Sequence, residues 1–180
     1  MKKEHLLLPL DQQKLPNLRY IAPQYLNLAF DRQNKYSVPY FWGTLGIVYN
    51  DKFYRSSQFK TWDALWDKQF DKQIMFIDGA REFMGIGLAS MGESLNTKND
   101  AKLNAAYEKL KALTPNAKAI VSDEIKTYMA NEESSVAVTF SGEAADMIAK
   151  NPHLHYVIPA GGTNLWFDNL VIPKTAKNKA

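Results

Sequence analysis

The chain has 180 residues, a formal net charge of +3, 46% hydrophobic and 23% charged residues, the balance of an ordinary globular protein with a sizeable core to bury. It contains no cysteine, which excludes disulfides, thiolate metal sites and cysteine nucleophiles. Its charges are interspersed, with no basic helix, zinc pattern or RNA-binding aromatic motif, so nucleic acid is not an expected partner, and no run of about 18 apolar residues is present to form a membrane span.

In chain order, the opening MKKEHLLLPLD reads as the end of a helix running into a loop, as in a fragment. Leu6–Leu10 is too short for a signal-peptide core and Asp11 follows at once, so any export signal is expected outside this chain. Residues 1–35 are punctuated by Pro9, Pro16 and Pro23. Leu6 to Leu8 fit a helix end and 17–28 a short helix; a region this loop-like is expected to pack on something else. Tyr36 to Asn50 (YSVPYFWGTLGIVYN) is a strand rich in β-branched and aromatic residues. Gly43 and Gly46 mark weak points where another backbone or a ligand comes close. The stretch reads either as a bent core strand or as one passing from one domain to another.

Thr61 is the expected cap of a helix whose Trp62, Leu65 and Trp66 share one face. KQIMFID, 72–78, is a short buried strand. The turn Asp78-Gly79-Ala80-Arg81-Glu82 then enters a helix ended by Gly92, with Asp78 as expected N-cap and Glu82 in the first turn. Strand, turn and helix in this order place Glu82 at the carboxyl end of a strand, where open α/β sheets bind ligands; the helix N-terminus also favours acidic residues with no ligand at all. Asp100 is the expected cap of a helix over 101–113, with Leu103, Tyr107, Leu110 and Leu113 on one face. A short strand fits 119–121 and a helix opened by Asp123 fits 124–130. VAVTF, 136–140, is a strand that turns through Ser141-Gly142-Glu143 into a helix, 144–150. In this second unit Phe140 takes the place that Asp78 has in the first.

A strand over 156–159 leads to the last stretch, GGTNLWFDNLVIP, 161–173. Trp166 and Asp168 are two apart and share a face of its strand. An aromatic face beside a carboxylate suits an organic cation; an ordinary strand has the same spacing. Lys174 to Lys179 read as a solvated tail or a helix start. Alternating strands and helices predict an α/β domain with a largely parallel sheet, bracketed by the two glycine-marked strands as an inserted domain with two crossover strands would be.

Chemistry that is missing narrows the function. There is no P-loop and no GxGxxG. Ser141 lacks the glycine two residues earlier that a nucleophile elbow needs, since Thr139 stands there. His153 and His155 alternate, which suits a metal pair or plain exposure. Asp78, Glu82 and Asp168 could form a carboxylate cluster for acid/base chemistry, but nothing marks one of them as an acid. No catalytic residue, cofactor or metal is therefore expected.

SVPYFWGTLGIVYN, FIDGAREFMGIGL, VTFSGEA and NLWFDNLVIPKTAKN occur in this order and at suitable intervals. From about Leu8 to its end the chain resembles the bacterial spermidine/putrescine-binding proteins of ABC transporters. The resemblance implies a periplasmic-binding-protein type II fold, of which the chain holds a near-complete second lobe and part of the first: 1–43 in lobe one, 44–160 as lobe two, 161–180 as the crossover strand returning to lobe one. By the same resemblance, both ends of such a protein are expected to lie outside this chain. The resemblance further implies that Trp166 is an aromatic wall, that Asp168 and Glu82 are carboxylates for ammonium groups, and that Phe140 stands where some members have tryptophan. At Gly79 the family's acidic residue is absent; Asp78 is its neighbour, and the spermidine-versus-putrescine preference is left open. The implied partners are a polyamine and a membrane permease, for a monomer outside the cytoplasm, in the periplasm or as a lipoprotein. The alternatives are another small organic cation or an amino acid in the same fold, and an acid/base enzyme.

Overall fold

The computed structural model describes residues 1–178. They divide into two compact units. The larger runs from Gly43 to Leu165; the smaller joins Met1–Trp42 to the residues from Trp166 on. Strand β1 (Ser37–Asn50) and strand β6 (Leu165–Val171) pair with each other, and both run from one unit into the other.

The larger unit is built on a sheet in the order β3-β2-β4-β1-β5, with β2 Ile74–Ile77, β3 Ala117–Val121, β4 Val136–Phe140 and β5 Leu154–Val157. Strand β2 is parallel to β3 and β4, whereas β1 is antiparallel to β4 and β5. Four strands therefore run one way and the crossover strand β1 lies among them in the opposite sense, which alternation along the chain does not reveal. All four residues of β2, the first four of β4 and Leu45 to Asn50 of β1 are buried without alternation, Gly46 included. Strands read this way when both faces of a sheet are covered. The cover comes from two helix pairs, α1 (Ala80–Ser90) on α2 (Asp100–Lys111) and α3 (Ile125–Ala130) on α4 (Ser141–Lys150), and from short 3-10 turns. One of these, Trp62–Trp66, buries Trp62 and Leu65 and ties the Trp62 indole N–H to the Gly162 carbonyl at 2.8 Å. Phe59 packs between Tyr49 and Phe70 with ring centroids 5.1 and 5.5 Å away.

Gly46 allows a close approach. A β-carbon there would run into the ring of Tyr156, which crosses β1 to place its hydroxyl 3.1 Å from the Thr44 carbonyl oxygen. Burial pushes the Tyr156 phenol above its usual range, outweighing its hydrogen bond to Thr44.

Several caps differ from expectation. The N-cap of α1 is Gly79, with no side-chain cap, so Asp78 does not cap it. Helix α2 is capped one residue before Asp100, by Asn99, whose Oδ1 accepts from the N–H groups of Ala101 and Lys102. Two good capping residues stand side by side, and the earlier one wins. On α2 it is Ala106 that is buried, and Tyr107 is exposed. Helix α4 starts at Ser141, directly after β4, and Glu124 rather than Asp123 precedes α3. The end of α1 is as expected: Gly92 at φ 67° donates to Ala89, and Glu93 donates back to Leu88, the paired bonds of a left-handed glycine stop.

In the smaller unit, 3-10 turns at Gln12–Lys14, Pro16–Tyr20 and Pro23–Tyr25 replace the expected helices. Leu7 is bridged to Pro173, and the Leu8 N–H donates to the Ile172 carbonyl at 2.9 Å. Asp31 is buried and accepts from the Tyr36 N–H at 2.9 Å, Ser37 Oγ at 2.8 Å and Lys2 Nζ at 3.0 Å. Burial pushes its carboxyl up, but these donors outweigh that and hold it below the usual carboxylate range. Residues 174–178 form no helix; Lys179, at the end of the expected tail, lies outside the described residues.

Candidate functional site

The predicted site residues fall into two groups, one in each unit. In the larger unit, β2 and β4 are parallel neighbours with Phe76 opposite Val138. Each passes directly into a helix, α1 at Ala80 and α4 at Ser141. Asp78, Glu82 and Phe140 thereby gather along the carboxyl edge of two adjacent parallel strands, the usual ligand side of such a sheet. Asp78 is exposed, and its backbone N–H donates to the Val121 carbonyl at 2.8 Å. Glu82 is half-buried in the first turn of α1. Its carboxylate folds back over Gly79, into the space a β-carbon at that position would take. It sits where the unpaired N–H groups and the dipole of α1 favour negative charge. Phe140 is the last residue of β4, opposite Leu45, and packs half-buried on the core. The Thr44 N–H donates to Ser141 Oγ at 3.2 Å just beyond it.

In the smaller unit, Trp166 is half-buried on β6 and Asp168 is exposed. Strand alternation puts both on the face opposite Phe167, whose ring packs on Phe30 with centroids 6.3 Å apart. The arrangement presents an indole and a carboxylate side by side, a pairing that can hold an ammonium group.

His153 and His155 do share a side, but their rings bond to one carboxylate: His153 Nδ1 lies 2.9 Å from Asp51 Oδ1 and His155 Nε2 2.8 Å from Asp51 Oδ2. These bonds hold the Asp51 carboxyl below its usual range. Asp51 is about a hundred residues away, so no local spacing announces it. Among the described residues, no group of three or more His, Asp or Glu side chains is placed to hold a metal ion. A polar cavity of about 430 Å³ that no sequence motif announces lies in the larger unit, between α1 and the loop before β6, lined by Arg81, Glu93, Ser94, Asn96, Thr163 and Asn164 among others. None of the five predicted site residues lines it. Among the described residues, no helix is long and apolar enough to cross a membrane.

The family model described as bacterial extracellular solute-binding protein matches residues 1–180. The chain belongs to this family. Spermidine/putrescine-binding periplasmic protein 1 of Haemophilus influenzae is 36% identical over 178 residues, covering 99% of this chain and 49% of that protein. A solved structure from Listeria monocytogenes, described as a candidate spermidine/putrescine ABC transporter, is 60% identical with a TM-score of 0.95, and covers 99% of this chain and 55% of its own. The spermidine/putrescine ABC transporter substrate-binding protein PotD of Streptococcus pneumoniae is 52% identical with a TM-score of 0.85 and the same coverage. The fold is accordingly that of part of a type II periplasmic binding protein. The chain spans about half the length of the curated relatives it matches.

Proposed function

We propose that this chain carries polyamine-binding residues of the substrate-binding component of an ABC transporter, which takes up spermidine or putrescine outside the cytoplasm and delivers it to a membrane permease. In this reading Gly43–Leu165 is the second lobe and the smaller unit is part of the first. Asp168 and Glu82 pair with ammonium groups, Trp166 stacks on the cation, and Phe140 covers methylenes. Asp78 adds negative potential at the same sheet edge. The component binds and releases, with no catalytic step.

The observation that carries this reading is the likeness along the whole chain to relatives named for spermidine and putrescine; the presence of exposed or half-buried carboxylates and an indole, residue types that suit a cation, supports it. The physics agrees in size. An ammonium–carboxylate pair about 4 Å apart, at an effective dielectric of about 20, gains on the order of 4 kcal/mol before desolvation. Each aromatic contact adds about 0.5–2 kcal/mol. Competition against bound labelled spermidine tests it: putrescine and spermidine should displace the label, whereas glutamate should not. Displacement by glutamate as effective as by putrescine would overturn the reading.

A further inference from the structure

Strand β4 passes into α4 directly after Phe140, with no loop between them. Side chains tie the chain down on both sides of that residue. Along β1 and β4, Gly46 stands opposite Thr139 and Leu45 opposite Phe140. One step further in the same register Thr44 meets Ser141, where β4 has already become α4. The ladder continues for that step through a side chain: the Thr44 N–H donates to Ser141 Oγ at 3.2 Å. The other polar groups of Thr44 are engaged by Tyr156. The phenol donates to the Thr44 carbonyl oxygen at 3.1 Å, and its oxygen lies 3.0 Å from Thr44 Oγ1. A phenol carries one donor hydrogen. With that hydrogen on the carbonyl, the Thr44 hydroxyl is the donor in the second contact. Tyr156 reaches Thr44 from its place opposite Val48 because Gly46 leaves room for its ring. On the other flank of Phe140, the hydroxyl of buried Thr139 donates to the Glu143 carboxylate in the first turn of α4.

We infer that Thr44, Ser141 and Tyr156 are positioning residues for Phe140: together they fix the strand-to-helix junction from which its ring projects. The inference deepens the proposed function and rests on the role given there to Phe140. A ring already held in place spares the ligand the cost of ordering it. Packing on the core holds part of the Phe140 ring, and the junction sets where its backbone presents it. A strand that enters a helix without a loop has no slack to absorb a change, so a bond lost at Ser141 frees the junction itself. The Thr44 clasp contains no charged group. Its effect therefore falls on the contact with ligand methylenes, and the ammonium–carboxylate pairs are untouched.

The test compares the chain with Ser141→Ala, Ser141→Thr and Tyr156→Phe, first without ligand. With isotope-labelled phenylalanine, nuclear magnetic resonance reports the order of the Phe140 ring. Ser141→Ala and Tyr156→Phe should lower that order and leave buried Phe76 on β2 unchanged. The Thr44 amide should exchange at least about tenfold faster in Ser141→Ala. Ser141→Thr keeps the hydroxyl and should match the parent in both readouts. A Phe140 ring as well ordered in Ser141→Ala and Tyr156→Phe as in the parent would overturn the inference. In spermidine titrations, Ser141→Ala should weaken binding about threefold or more, and by less than about twofold in a Phe140→Ala background, where no ring is left to position. Equal loss in the two backgrounds would overturn the positioning role, since Ser141 would then act elsewhere. Failure of the polyamine reading is distinguishable, because it leaves the ligand-free results standing.

Discussion

Gly46 and Gly79 both lack a β-carbon in a crowded place, and the neighbours decide what adding one does. At Gly46 the neighbour is the Tyr156 ring, held at its hydroxyl by Thr44. Gly46→Ala should cost about 1–3 kcal/mol, as overpacking does, read from urea unfolding. At Gly79 the neighbour is the far end of a flexible side chain, the Glu82 carboxylate, and φ is 176°, extended backbone open to any residue. Gly79→Ala should therefore change stability by less than about 1 kcal/mol while displacing that carboxylate. If Glu82 holds an ammonium group, putrescine affinity falls several-fold; unchanged affinity would remove Glu82 from the site. Asp31 has a carboxyl held below its usual range. A lowered folded-state pKa contributes stability above the unfolded value and loses it as pH falls through the folded value. The melting-temperature deficit of Asp31→Asn should thus be full near neutrality and shrink as pH falls below 3.8. A deficit that stays constant into acid would contradict this.

At the scale of elements, Asn116 joins pieces that no periodicity connects. Its Nδ2 donates to the Leu65 carbonyl at 2.7 Å and the Asp67 carbonyl at 2.9 Å, pinning the Trp62–Trp66 turn to the start of β3. Asn116→Ala leaves both carbonyls short of a donor and should destabilise by about 1–3 kcal/mol; a loss under about 0.5 kcal/mol would show that water replaces the amide. Asn116 illustrates what the sequence does not display. Strands β2 and β4 and the second half of β1 are legible because burial on both faces writes them as unbroken apolar runs. Helix α1 is legible at its end, where Gly92 takes the left-handed conformation. Its start is obscure because Asp78 and Gly79 compete to be the first non-helical residue. Asn116 and the Asp51–histidine contacts are illegible because their partners are distant in sequence and meet only on folding.

For the whole molecule, alternation of strands and helices reveals an α/β domain, and the two glycine-marked strands point to crossovers. The reversed direction of β1 within the sheet is set by tertiary pairing and leaves no local trace. Of the candidate site, residue types and spacing expose Glu82 at a strand's carboxyl edge and Trp166 beside Asp168. The polar cavity beside α1 draws on separate loops and has no such signature. The most direct test of the account is calorimetric titration of spermidine into the chain and its Asp168→Asn variant. Asp168 is exposed, so the substitution spares the fold. Saturable binding that weakens at least about tenfold in the variant, the loss of about 1.4 kcal/mol or more expected for one ion pair, is the predicted result. Binding of equal strength in the two would contradict it.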